Sequence, residues 1–329
     1  MAQNVLIPQP IAEEGRQYLR DRGYNVKTGS AHSVEVMKEE VKGCCAILIR
    51  TALLPAEVLR AGKELRVIGR HGVGVDNIDI AAATELGIHV TNAPESNSNS
   101  VAEQTLGLML ACARNYSLCN REIRKGNFAI RDQVHGVDMQ GKTVGIIGLG
   151  AIGSRVAQKA ILGFDMKVIA YDPYVTQEHV PANVVVMESW EDIFQTADFI
   201  TLHLPASPHT TGCIGKKEFE LMKSTAYLIN AARGELVNEA DLIEALQQKT
   251  IAGAGLDVFE QEPPVRDNLL LELDNVMLTP HNASLTKECM IRMAVHAAMG
   301  IDDVLSGRAP KWPVNDPTAL SDRSGQAQH

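Results

Sequence analysis

Three side chains in the second half of the chain sit just past short apolar runs of strand character. Arg233 follows residues 226–232 (AYLINAA), Glu262 follows 252–259 (AGAGLDVF) and His281 follows 275–280 (NVMLTP). Ligands of open α/β sheets gather at the carboxyl ends of strands, so the three point to one rim. Their types suit acid–base chemistry on a carboxylate. An arginine fork grips a carboxylate through paired hydrogen bonds. A histidine exchanges protons near neutral pH, and a carboxylate beside it fixes its tautomer and steadies its charged form. Each also has a plainer alternative: a solvated charge in the Arg233-Gly234 turn, a loop carboxylate ahead of Pro263-Pro264, a histidine capping the next helix.

A second constellation reads as a phosphate cradle. Gly148-Leu149-Gly150-Ala151-Ile152-Gly153 is a G-x-G-x-x-G string that follows the apolar run 142–148 and opens the helical segment 151–164. That placement, more than the string, makes it a dinucleotide fingerprint. Gly148 permits the tight turn, Gly150 the approach of backbone to a pyrophosphate, and Gly153 close packing of helix on strand. The helix N-terminus at Ala151 and Ile152 offers unpaired N–H groups. Asp172 closes the next apolar run, 19 residues after Gly153, where a carboxylate about 20 residues on can accept from ribose hydroxyls. It would repel a 2′-phosphate, and Pro173 and Tyr174 bring no cation, so the pattern favours NAD over NADP. A surface aspartate beside an ordinary glycine turn is the alternative.

These residues need a frame of strands and helices. Strand-length runs at 5–8, 24–28, 46–51, 65–70 and 88–92 alternate with amphipathic segments that end in glycine, which implies a parallel sheet with helices on both faces. The rhythm breaks at 100–126, where helical periodicity predicts one long helix or two in succession. A second series follows, with strands at 142–148, 167–172, 199–205, 226–232, 252–259 and 275–280 and helices at 151–164, 189–197, 216–223 and 238–250. A final amphipathic helix is expected over 285–306, then a polar, frayed tail after Pro317. No internal repeat shows.

Composition narrows the function classes. The chain has 329 residues, 45% hydrophobic and 22% charged, which favours two globular domains over disorder. A formal charge of −9 fits poorly with phosphate backbones, so nucleic acid is not expected as a partner. No apolar run is long enough to span a bilayer, and the N-terminus does not read as a signal peptide, so no membrane role is expected. The six cysteines show no C-x-x-C pair and no metal-ligand spacing. Reduced thiols in a cytoplasmic protein without a metal are therefore expected.

At this point the sequence resembles the D-isomer-specific 2-hydroxyacid dehydrogenases. The resemblance rests on 71–79 (HGVGVDNID), 92–110 (NAPESNSNSVAEQTLGLML), 141–157 (GKTVGIIGLGAIGSRVA), 202–215 (LHLPASPHTTGCIG), 228–246 (LINAARGELVNEADLIEAL), 253–263 (GAGLDVFEQEP) and 278–284 (LTPHNAS). It implies two doubly wound parallel-sheet domains. A Rossmann NAD domain (99–291) would be inserted in a flavodoxin-like substrate domain (1–98 plus 292–329), with a cleft between them. It implies Arg233 as the substrate-binding arginine, His281 as general acid/base and Glu262 as its carboxylate. His203, Pro205, Thr210, Ala231 and Asp257 would join the glycine loop in holding NAD, with Asp257 on the nicotinamide carboxamide. Arg50, Thr51, the N–H groups of Val73 and Gly74, and Asn97 would face the substrate, a small anionic 2-keto or 2-hydroxy acid. A homodimer through the segment after residue 100 is implied too. Two departures stand out: Asn282-Ala283 replaces the usual glycine pair after the histidine, and Arg50-Thr51-Ala52 lacks the second arginine of relatives acting on 3-phosphoglycerate. Some relatives are NAD-sensing corepressors without turnover. The intact Arg233, Glu262 and His281 set argues for an enzyme.

Overall fold

A computed structural model describes residues 3–317; the expected frayed tail, 318–329, lies outside the described residues. The chain divides into two compact units, residues Met1–Asn97 with Leu285–His329, and Ser98–Ser284.

The first unit alternates β1 (Asn4–Ile7), α1 (Glu13–Asp21), β2 (Asn25–Thr28), α2 (Val34–Glu40), β3 (Ala46–Ile49), α3 (Ala56–Ala61), β4 (Val67–Arg70), α4 (Ile80–Glu85) and β5 (His89–Thr91). The strands form one parallel sheet in the order β2-β1-β3-β4-β5. All four residues of β3 are fully buried, as expected of a strand covered on both faces. Burying each such isoleucine or leucine stabilises by about 1.5–3 kcal/mol. Asp79 starts α4 by accepting from the Ala82 N–H at 2.9 Å, which satisfies a helix-end donor. Cys44 and Cys45 lead into β3; burial pushes the Cys45 thiol up to about 11, so it stays protonated. All six cysteines are free.

The second unit begins with α5 (Ser98–Ala113) and α6 (Tyr116–Arg124), two helices separated where Asn115 turns left-handed (φ 53°). Then come β6 (Thr143–Ile147), α7 (Ala151–Phe164), β7 (Lys167–Tyr171), β8 (Val184–Val186), α8 (Trp190–Thr196) and β9 (Phe199–Leu202). They are followed by α9 (Lys216–Leu221), β10 (Tyr227–Asn230), α10 (Glu239–Gln247), β11 (Gly253–Leu256) and β12 (Val276–Leu278). The sheet is parallel, in the order β12-β11-β10-β9-β6-β7-β8. Strand order reverses on either side of β6, so its junction with β9 is the switch point where α/β sheets open a ligand crevice.

The last helix, α11 (Lys287–Leu305), returns to the first unit, where Ala297, Ala298 and Ile301 pack in one core with Val5, Ile7, Ala46 and Leu48. The expected domain boundary at 291/292 would cut this helix. The compact units part before it instead, and its residues Ala297, Ala298, Ile301, Val304 and Leu305 join the core of the first sheet. The short edge strand β8 was not expected. Among the described residues, no helix is long and apolar enough to cross a membrane.

Candidate active site

The glycine loop leaves β6 with Gly148 left-handed (φ 94°), and a Cβ there would lie 2.7 Å from the His203 carbonyl oxygen at the end of β9. A Cβ on Gly153 would lie 2.1 Å from the Gly148 oxygen, so only glycine lets α7 start this close to the strand. Above Gly150 a Cβ would meet nothing within 4 Å, and no side chain caps α7. Its first N–H groups at Ala151 and Ile152 are thus open to a phosphate, and the cradle fits a pyrophosphate. Asp172 stands beside it: one carboxylate oxygen accepts from the Leu149 N–H at 2.8 Å and the other from the Tyr174 N–H at 2.9 Å. The aspartate therefore holds the loop as well as facing it, with lone pairs to spare for hydroxyl donors. Thr210 Oγ1 donates to the Pro205 carbonyl at 2.7 Å, joining two expected cofactor residues in one turn. Ala231 is buried just past β10. Burial pushes the His203 imidazole down to about 3, and its Nδ1 has no partner.

On the same sheet β10, β11 and β12 are neighbours, and just past their carboxyl ends stand Arg233, Asp257 and His281. The Asn230 side chain shapes the first turn, accepting from the Ala232 N–H (3.0 Å) and donating to the Arg233 carbonyl (2.8 Å). His281 Nδ1 lies 2.7 Å from Glu262 Oε2. A carboxylate only accepts, so Nδ1 carries the proton and Nε2 is the nitrogen left for other partners. Glu262 Oε1 accepts from the Phe259 N–H at 3.2 Å, which aims the carboxylate. Glu262 and His281 are brought together directly. Phe259, Pro263, Pro264, Leu271 and Leu278 line an apolar hollow of about 450 Å³ against this pair.

His281 is left-handed (φ 49°) although it is not glycine. Such strain costs on the order of 1–3 kcal/mol and persists where surroundings over-determine it. Asp257 supplies that constraint. Its carbonyl accepts from the His281 N–H at 2.7 Å, and its carboxylate accepts from the Asn282 N–H (3.0 Å), the Ala283 N–H (2.9 Å) and Thr279 Oγ1 (2.5 Å). The side chain is 0% exposed. Asp257, expected on the nicotinamide carboxamide, thus also anchors the histidine turn, its carboxylate oxygens taking these three donors.

The remaining expected residues lie in the first unit, at the carboxyl edge of its sheet. Arg50 and Thr51 follow β3, and the Thr51 N–H donates to Gln9 Oε1 at 2.9 Å. Val73 and Gly74 follow β4, in a loop held by Asn92 Nδ2 donating to the Val73 carbonyl at 2.8 Å. The Oδ1 of Asn97 is buried without a partner. Sequence reasoning passed over His71. It is 1% exposed, both ring nitrogens lack partners, and burial, helped by Arg50 and Arg70, pushes it down to about 4. Among the described residues, no cluster of His, Cys, Asp and Glu could hold a metal ion.

Residues 106–283 match the family model described as D-isomer specific 2-hydroxyacid dehydrogenase, NAD binding domain. The chain belongs to this family. A D-3-phosphoglycerate dehydrogenase of Archaeoglobus fulgidus is 42% identical over 315 residues, 95% of this chain and 59% of the relative. The chain thus spans about three-fifths of the length of the curated relatives it matches. Among solved structures, the TT0316 protein of Thermus thermophilus is 34% identical with a TM-score of 0.86, over 95% of this chain and 100% of that one. An NADPH-dependent glyoxylate/hydroxypyruvate reductase of Sinorhizobium meliloti is 27% identical with a TM-score of 0.84, over 95% and 97%. The family's NAD-binding domain falls within the second unit and includes the glycine loop, Asp172, Arg233, Glu262 and His281.

Proposed function

We propose that the chain is an NAD-dependent oxidoreductase that interconverts a small 2-keto acid and its D-2-hydroxy acid. The observation that carries this is the 2.7 Å His281–Glu262 pair, on the sheet edge that also bears Arg233 and the phosphate cradle. NAD(H), when bound, supplies and accepts the hydride. In the reducing direction protonated His281 donates its Nε2 proton to the carbonyl oxygen, and Glu262 steadies the imidazolium through Nδ1. Arg233 binds the substrate carboxylate and draws charge toward the reacting carbonyl. Arg50, Thr51, Val73, Gly74 and Asn97 take part in substrate recognition.

Asp172 supports NAD over NADP, since its carboxylate would face a 2′-phosphate with no cation at Pro173 or Tyr174. The substrate class is that of 3-phosphoglycerate, hydroxypyruvate and glyoxylate, in keeping with the relatives' names. A homodimer fits α6, which buries none of its residues and exposes Tyr116 and Ile123 beside Phe128. A reducing cytoplasmic setting fits the free cysteines.

Steady-state oxidation of NADH, with NADPH in parallel, across glyoxylate, hydroxypyruvate, 3-phosphohydroxypyruvate and longer 2-keto acids tests the reading. Turnover with NADH on at least one of them is expected. Tight NADH binding with no turnover on any would sink it in favour of an NAD-sensing protein.

A further inference from the structure

His281 owes its left-handed main chain to Asp257, and Asp257 is itself held from behind. Thr279 Oγ1 donates to Asp257 Oδ1 at 2.5 Å. With its single proton committed there, that hydroxyl accepts from Gln104 Nε2 at 2.9 Å. Gln104 lies on α5, 175 positions from Thr279, and every member of the series belongs to the second unit. Its polarity is set throughout: amide donor, hydroxyl relay, buried carboxylate, then the main-chain N–H groups of Asn282 and Ala283, the two residues that follow the histidine.

We propose that Gln104 and Thr279 are positioning residues for His281, acting through Asp257. The proposal rests on the reading of His281 as proton donor. Asp257 Oδ1 takes two of the carboxylate's three donors, one from the relay and one from the turn. Removing the Thr279 hydroxyl leaves a fully buried carboxylate short of a donor and free to swing toward another, carrying the Asn282 and Ala283 N–H groups with it. The imidazole then loses its aim. Proton transfer tolerates only about 0.5 Å and 10–20° of such error. Gln104 acts one step further back, by keeping the hydroxyl from turning its proton away from Asp257.

The test uses Thr279→Val, which keeps shape and loses the hydroxyl, Thr279→Ser, which keeps the hydroxyl, and Gln104→Met, which keeps length and loses the donor. Expected are a fall in kcat of roughly 10²-fold for Thr279→Val and roughly ten-fold for Gln104→Met, with the Kd for NADH held within about two-fold. Thr279→Ser should retain kcat within about three-fold, and the double variant Gln104→Met/Thr279→Val should fall no further than Thr279→Val alone. The His281 Nδ1–H signal in proton NMR gives a readout free of turnover. It should be sharp and slow to exchange in the parent protein, and broadened by Thr279→Val and Gln104→Met. If the parent turns over no 2-keto acid, the functional reading fails and this signal still decides the positioning. Three outcomes overturn the proposal: an unchanged signal in Gln104→Met, equal damage from Thr279→Ser and Thr279→Val, or multiplying losses in the double variant.

Discussion

At Gly153 a Cβ would lie 2.1 Å from the Gly148 oxygen, whereas at His281 a Cβ is present on a main chain that disfavours it (φ 49°). Both turns stand at the carboxyl edge of the same sheet. The first is built locally: strand, three glycines and helix follow one another, and sterics alone select the residue types. The second is built from a distance, by a buried aspartate from another strand end and by a helix far earlier in the chain. A phosphate cradle needs main-chain N–H groups and open space, which a short glycine string provides. A proton donor needs one side chain aimed to a fraction of an ångström, which takes several fixed hydrogen bonds.

Variants can separate the two. His281→Ala should give the largest effect, a loss in kcat on the order of 10²–10⁴-fold with the Kd for NADH little changed; stopped-flow turnover beside NADH fluorescence titration checks it, and unchanged turnover would remove the histidine from the mechanism. Gly153→Ala should show the reverse pattern. Forcing a methyl against the Gly148 carbonyl should destabilise by about 1–3 kcal/mol and weaken NADH binding at least as strongly as turnover. Calorimetric melting with NADH titration measures both, and normal NADH binding would mean the turn is less steric than described. A smaller change is expected at Asp172→Ser. The preference for NADH over NADPH should narrow by roughly ten-fold, since a repelling charge and a ribose acceptor go together; a preserved ratio of kcat/KM values would reassign the aspartate to holding the loop at Leu149.

The smallest expected effect lies outside both turns and concerns acid stability. His71 in the folded chain titrates at about 4 rather than its ordinary 6.5, because burial and the nearby Arg50 and Arg70 disfavour its charge. Between those values the unfolded chain binds a proton that the folded chain refuses, so stability present at neutral pH is lost as pH falls from 6.5 toward 4. His203, pushed down to about 3, acts in the same direction over a window reaching further into acid. Replacing His71 by Leu should therefore reduce, without abolishing, the slope of Tm against pH in that interval. An identical slope would mean that His71 gains a proton-accepting partner that offsets its burial.

Much of the frame was legible in the residues. The expected strands at 46–51 and 142–148 correspond to β3 and β6, trimmed to Ala46–Ile49 and Thr143–Ile147, because a buried parallel strand is written as a short apolar run and its ends are not. The three-valine edge strand β8 escaped notice, being too short to carry a period. The final helix was expected over 285–306 and runs Lys287–Leu305, but the boundary at 291/292 falls inside it, since its amphipathic pattern says that one face is buried and not which sheet buries it. Arg233, Glu262 and His281 stood out because each follows a strand-like run. Gln104 did not, because a glutamine on a helix has no local sign of a partner 175 positions away.

Sequence by itself determined the alternation of strands and helices, the phosphate cradle and the residue types of the acid–base set, since these follow from neighbours in the chain and from spacing that sterics enforce. Tertiary structure decided which carboxylate meets the histidine, what holds that histidine in a left-handed turn, and that the last helix covers the first sheet. Those are contacts between residues tens to hundreds of positions apart, and packing and hydrogen-bond satisfaction in the folded chain select them.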